Sequence, residues 1–221
     1  MKKYFLGAIW IVLSLFLAFG IINMVWNIMI PHWNQYIWLV LGVFKFFIVA
    51  MFTKNDTFVF IDTFMHEFSH LLFTYITRLK PTVFIVNPFD KEKDKPSGYV
   101  YYTYKEKSHK SVVKSARNHL VDLAPYFFST TTFFIMIFYG LFLINTHHTI
   151  FEHQHFAFFN GAIMVAVGFT YAYHLVSSIS QINPKQSDFD ELGYGYSKVV
   201  ILFFHLLFLF GYIWILSFPY L

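Results

Sequence analysis

The run His66-Glu67-Phe68-Ser69-His70 carries the chemistry most easily read from this chain. Two histidines four residues apart share one helical face, about 40° apart around the axis, so both imidazoles can reach one metal ion. Glu67 stands beside them, where a general base must be to take a proton from a water molecule. The pentapeptide lies inside an apolar stretch, Thr57–Thr77, long enough to reach across a bilayer. Ionisable side chains are expensive at such depth, so three of them within five residues point to function.

Composition sets the surroundings. The chain is 57% hydrophobic, has 31 Phe among its 221 residues, and is only 13% charged. Apolar residues in long runs at that density predict an all-α polytopic membrane protein rather than a soluble domain. Cysteine is absent, so there are no disulfides and any zinc site must use nitrogen and oxygen ligands. The net charge of +4 is unevenly spread and bears on topology; it implies no nucleic-acid partner.

Six segments read as helices at membrane depth: Tyr4–Ile30, Tyr36–Phe52, Thr57–Thr77, His119–Ile144, Phe156–Ile182 and Ser197–Pro219. The second is the shortest and carries Lys45 in its middle, so it either spans or re-enters. The first follows Met1-Lys2-Lys3, but its apolar run is long and no small-residue cleavage site follows, which reads as a retained anchor. No internal repeat or separate soluble domain is visible. The expectation is one integral membrane domain over 1–221 with a catalytic core at roughly 57–196.

Ten Lys and Arg residues lie between Arg78 and Asn118, and Lys185 and Lys198 follow the fifth helix. The two connections, 78–118 and 183–198, hold twelve of the sixteen basic residues, which places both on the cytoplasmic side by the positive-inside rule. His70 precedes Arg78 by eight residues, roughly 12 Å along a helix, so the metal would lie below the cytosolic surface of what reads as a plasma membrane.

Catalytic zinc usually has three protein ligands and one open position. The stretch Asn183-Pro184-Lys185-Gln186-Ser187-Asp188-Phe189-Asp190 lies at the same side and depth as the histidines, and Pro184 prevents the fifth helix from continuing. Asp188 is the expected third ligand, with Asp190 as the alternative. Asp122 reads instead as a first-turn carboxylate favoured by the helix dipole. His174 and Asn183 are candidates for holding a ligand in place or stabilising an oxyanion, and a histidine satisfied by a neighbouring helix is the blander reading of His174. His147, His148, His153 and His155 read as a polar outer loop.

Between the third and fourth helices, Gly98-Tyr99-Val100-Tyr101-Tyr102-Thr103-Tyr104 is aromatic and β-branched and reads as a strand. Thr82–Val86 is its partner in a small hairpin, across the charged Asp90–Lys95 turn. Such an edge could hold an extended peptide by strand addition.

Together these features resemble the site-2 protease family of intramembrane zinc metalloproteases. The likeness rests on HExxH within an apolar helix, an aspartate after a later helix near an Asn-Pro pair, and a Gly-containing strand between them. It implies that His66, His70 and Asp188 hold Zn2+, that Glu67 is the catalytic base, and that a transmembrane protein or peptide is the substrate. The family commonly has Asp-Gly within Asn-Pro-Asp-Gly, whereas here Asn183-Pro184 precedes Asp188-Phe189 by several residues, which marks a divergent and compact member. Two other classes remain open at this point: a zinc-stabilised membrane scaffold without catalysis, and an ion-pathway or transport protein lined by His66, Glu67 and His70.

Overall fold

In a computed structural model of the chain, the described residues are 2–53, 55–86, 98–104, 111–146, 153–183, 187–189 and 193–217. Helix α1 spans Lys2–Met24 and runs on as a π-helical segment, Val25–Met29; α2 is Trp33–Phe52 and α3 is Asn55–Ile76. Strands β1 (Leu79–Val86) and β2 (Gly98–Tyr104) follow. Helices α4 (Ser111–Phe127), α5 (Thr130–Thr146), α6 (His153–Gln181) and α7 (Tyr194–Ser217) complete the order, with a 3-10 turn at Ser187–Phe189.

Among the described residues, four helical stretches are long and apolar enough to cross a membrane: Gly7–Met29, Trp33–Phe52, Ala157–Gln181 and Tyr194–Ser217. A fifth span results if α4 and α5 count as one interrupted crossing. Helix α3, richer in acidic and histidine side chains, is not among the four. The outward faces suit lipid. Phe16, Phe19 and Trp26 on the first span and Met51 and Phe52 on the second are all more than two-thirds exposed, where water would disfavour them.

The expected fourth helix, His119–Ile144, is instead two helices broken at Phe128-Ser129. Two local causes meet there. Pro125 removes one backbone donor near the end of α4. The run Ser129-Thr130-Thr131-Thr132 then offers hydroxyls that favour a helix start over a helix interior, and Ser129 Oγ bonds Thr132 Oγ1 at 2.6 Å.

The chain gathers into two compact units. The first comprises Met1–Phe52, Ser129–Val176 and Leu202–Leu221. Its core is built from Tyr36, Met136, Tyr139, Leu143, Met164, Val167, Tyr212 and Leu216. Two buried hydroxyls find partners within it: Tyr36 Oη with Ser217 Oγ at 2.9 Å, and Tyr139 Oη donating to Asn160 Oδ1 at 2.6 Å. Helices α2 and α6 touch backbone to backbone. A Cβ on Gly42 would collide with the Val165 carbonyl, and one on Gly168 with the Leu39 carbonyl. In lipid, where no hydrophobic force drives helices together, such close approach is what small residues supply.

The second unit comprises Thr53–Phe128 and Ser177–Ile201 and contains α3, the hairpin and α4. The expected hairpin is present: β1 and β2 pair antiparallel from Leu79↔Tyr104 to Val86↔Gly98, with an irregularity between Pro81 and Val83. There Thr82 Oγ1 donates to the Tyr101 carbonyl at 3.0 Å. The charged 90–95 turn lies outside the described residues. Only Thr77 and Arg78 separate α3 from β1, and Arg78 turns the chain with φ of 59°, a left-handed conformation usually left to glycine or asparagine. Phe73 of α3 packs edge-on against Phe127 and Phe128, tying α3 to the end of α4.

Candidate metal centre

Both histidines sit on the inward face of α3, and Ser69 and Thr74 on the same helix satisfy their hydroxyls by donating to backbone carbonyls four residues back. His66 Nε2 and His70 Nε2 lie 3.1 Å apart. The 3-10 turn brings Asp188 Oδ2 to 3.5 Å from His66 Nε2 and 3.9 Å from His70 Nε2. Among the described residues, His66, His70 and Asp188 form the group able to share one metal ion.

Each of the three is oriented by its own partner. His66 Nδ1 bonds Gln181 Oε1 at 2.9 Å, at the end of α6, and Gln181 Nε2 donates to Ser177 Oγ at 3.1 Å. His70 Nδ1 bonds the Val121 carbonyl of α4 at 2.8 Å. Tyr126 Oη, fully buried one turn further along α4, donates to Asp188 Oδ2 at 2.7 Å, and its ring lies edge-on to His66. Both Nδ1 atoms face acceptors, so each must carry the proton, and both Nε2 lone pairs are left facing the carboxylate.

Three acceptor atoms converging within 3.1–3.9 Å repel one another unless a cation bridges them. Ligands of tetrahedral zinc at 2.0–2.1 Å stand roughly 3.3 Å from one another, so the spacing fits a zinc ion after small adjustments. A His/His/Asp set with Nδ1–H orienting bonds suits the same ion.

Glu67 is buried at the same level of α3. Strand β2 begins directly on it: a Cβ built on Gly98 would stand 2.9 Å from both Glu67 Cδ and Oε1. The absent side chain of Gly98 is therefore what gives the carboxylate its room.

The remaining sequence candidates fall elsewhere. His174 belongs to the first unit, where its ring lies 5.4 Å from that of His205. Asn183 is exposed just past the end of α6. Asp122 is not in a first turn: α4 begins at Ser111, eleven residues earlier, and Asp122 Oδ1 accepts from Tyr102 Oη at 3.2 Å, linking β2 to α4. The helix starts earlier because the Lys-containing stretch before His119, polar in composition, is helical too. Asp190, His147 and His148 lie outside the described residues.

Sequence reasoning missed Gln181, Tyr126 and the Val121 carbonyl. The signal for the first two was modest: an amide at the end of an apolar helix and a tyrosine following a helical proline. A backbone carbonyl leaves no signal in residue type. No family model, no curated protein and no solved structure matches the chain.

Proposed function

We propose that this protein is a membrane-embedded zinc metallopeptidase, a divergent and compact relative of the site-2 proteases, that hydrolyses peptide bonds of membrane protein substrates. The observation that carries the reading is the convergence of His66 Nε2, His70 Nε2 and Asp188 Oδ2 beside the buried Glu67. In this reading α3 lies at membrane depth with the other long helices, six spans in all, and the basic connections 78–118 and 183–198 face the cytoplasm of a plasma membrane.

Zinc held by these three residues would acidify water and polarise a scissile carbonyl. The chain's own groups do the rest. Glu67 takes the proton from the attacking water on a carboxylate oxygen and delivers it to the leaving nitrogen. Gln181, Val121 and Tyr126 hold the ligands so that no reorganisation is needed when substrate arrives. The first residues of β2, lying on Glu67, bring an extended strand edge beside the site, and an unwound substrate segment adding to that edge would run past the metal.

The intact Glu67 favours catalysis over a scaffold, since a structural zinc site needs no base and normally fills four positions with protein ligands. The test is purified protein with bound zinc measured alongside cleavage of a transmembrane peptide. Glu67→Gln should keep the metal and lose turnover by a factor of roughly 10² to 10⁴. Chelation should abolish cleavage by the wild type. Turnover surviving in Glu67→Gln would reject the assignment.

A further inference from the structure

Helix α4 contains Pro125 in its interior and continues helical to Phe127. In an α-helix the amide of residue 125 would donate to the carbonyl of residue 121, four positions back. Proline has no amide hydrogen, and its ring pushes that same carbonyl aside. The carbonyl so released is Val121 O, the atom that bonds His70 Nδ1 at 2.8 Å. Val121 is almost fully buried, so water is not at hand to replace the lost helical donor. The next backbone bond is kept: the Phe128 amide donates to the Ala124 carbonyl at 2.9 Å, and Tyr126 reaches Asp188 from the position after the proline.

We propose that Pro125 is a positioning residue, which by lacking an N–H frees the Val121 carbonyl to fix the tautomer and orientation of His70. An Nδ1–H···O=C bond leaves the Nε2 lone pair pointing at His66 and Asp188. Any residue with an amide hydrogen at 125 offers Val121 O a helical donor, and His70 must then compete for it. The bond geometry stands without any metal; its consequence for zinc rests on the function proposed above.

The experiment separates the missing hydrogen from the proline ring. Three full-length proteins are prepared in detergent: wild type, Pro125→Ala, and a protein carrying the α-hydroxy analogue of alanine at 125, whose backbone ester again has no N–H. Nitrogen-15 spectra of labelled histidine in the metal-free proteins, assigned through a His70→Gln variant, read the His70 tautomer. Zinc affinity is measured in parallel.

Wild type and the ester protein are expected to hold His70 in the Nδ1–H form. Pro125→Ala should show a severalfold gain in the Nε2–H form and zinc binding weaker by about tenfold to a hundredfold. A wild-type tautomer in Pro125→Ala overturns the proposal, and so does an ester protein that behaves like Pro125→Ala. If Pro125→Ala does not fold, the ester protein decides alone: the wild-type tautomer supports the proposal and its loss overturns it. Absence of zinc binding by wild type would reject the peptidase reading and leave the tautomer result to decide the role of Pro125.

Discussion

Gly98 and Glu67 are in contact in a way that admits no side chain on the glycine: an added Cβ would lie 2.9 Å from Glu67 Oε1. The strand and the helix that carry them are thereby fitted to each other at the proposed general base. Gly98→Ala should move the Glu67 carboxylate or push β2 off α3. Zinc content is expected to stay at the wild-type level while kcat falls tenfold or more, part of the roughly 10² to 10⁴ that a general base contributes. Measured together, unchanged kcat and unchanged zinc would show that the carboxylate has more freedom than the contact implies.

Tyr126→Phe removes the hydroxyl from Asp188 Oδ2 and keeps the ring against His66 and Phe189. Zinc affinity should drop by about tenfold or more. Asp188→Ala should lose more, since it removes the proposed ligand itself. Isothermal titration or competition with a chelating dye would rank the two, and Tyr126→Phe binding as tightly as wild type would assign the hydroxyl to packing alone.

Gly42→Leu tests the close approach of α2 and α6. The added side chain meets the Val165 backbone, which cannot yield as a flexible side chain would. Overpacking of this kind costs about 1–3 kcal/mol. The thermal midpoint in detergent should fall accordingly, and a midpoint equal to that of wild type would mean the helices separate there without penalty.

A reporter fused at Lys95 should signal from the cytoplasm, because ten of the basic residues lie in that connection. An external signal at Lys95 would reverse the proposed topology. It would also move the metal centre toward the opposite face.

Much of this was legible in the residues. The convergence of His66 and His70 follows from helical spacing, and the hairpin from the aromatic strand opened by Gly98. The closeness of Asp188 to the two histidines was expected from its place shortly after α6. The split of the fourth helix was less legible, because the apolar run on either side of Phe128-Ser129 is continuous by hydropathy and a proline near a helix end is often tolerated. Tyr126 and Gln181 were hidden for another reason. Their roles depend on where α4 and α6 end relative to α3, and no periodicity within one helix encodes contacts to another.

The two-residue join at Thr77-Arg78 leaves no slack between the histidine helix and the sheet. Because successive strand residues point to opposite sides, one inserted residue there would turn Leu79, now 1% exposed, out of the interior and reverse every side chain after it. Helix and strand must therefore change in concert over evolutionary time, and natural variation in length is expected at the far tip of the hairpin rather than at its root.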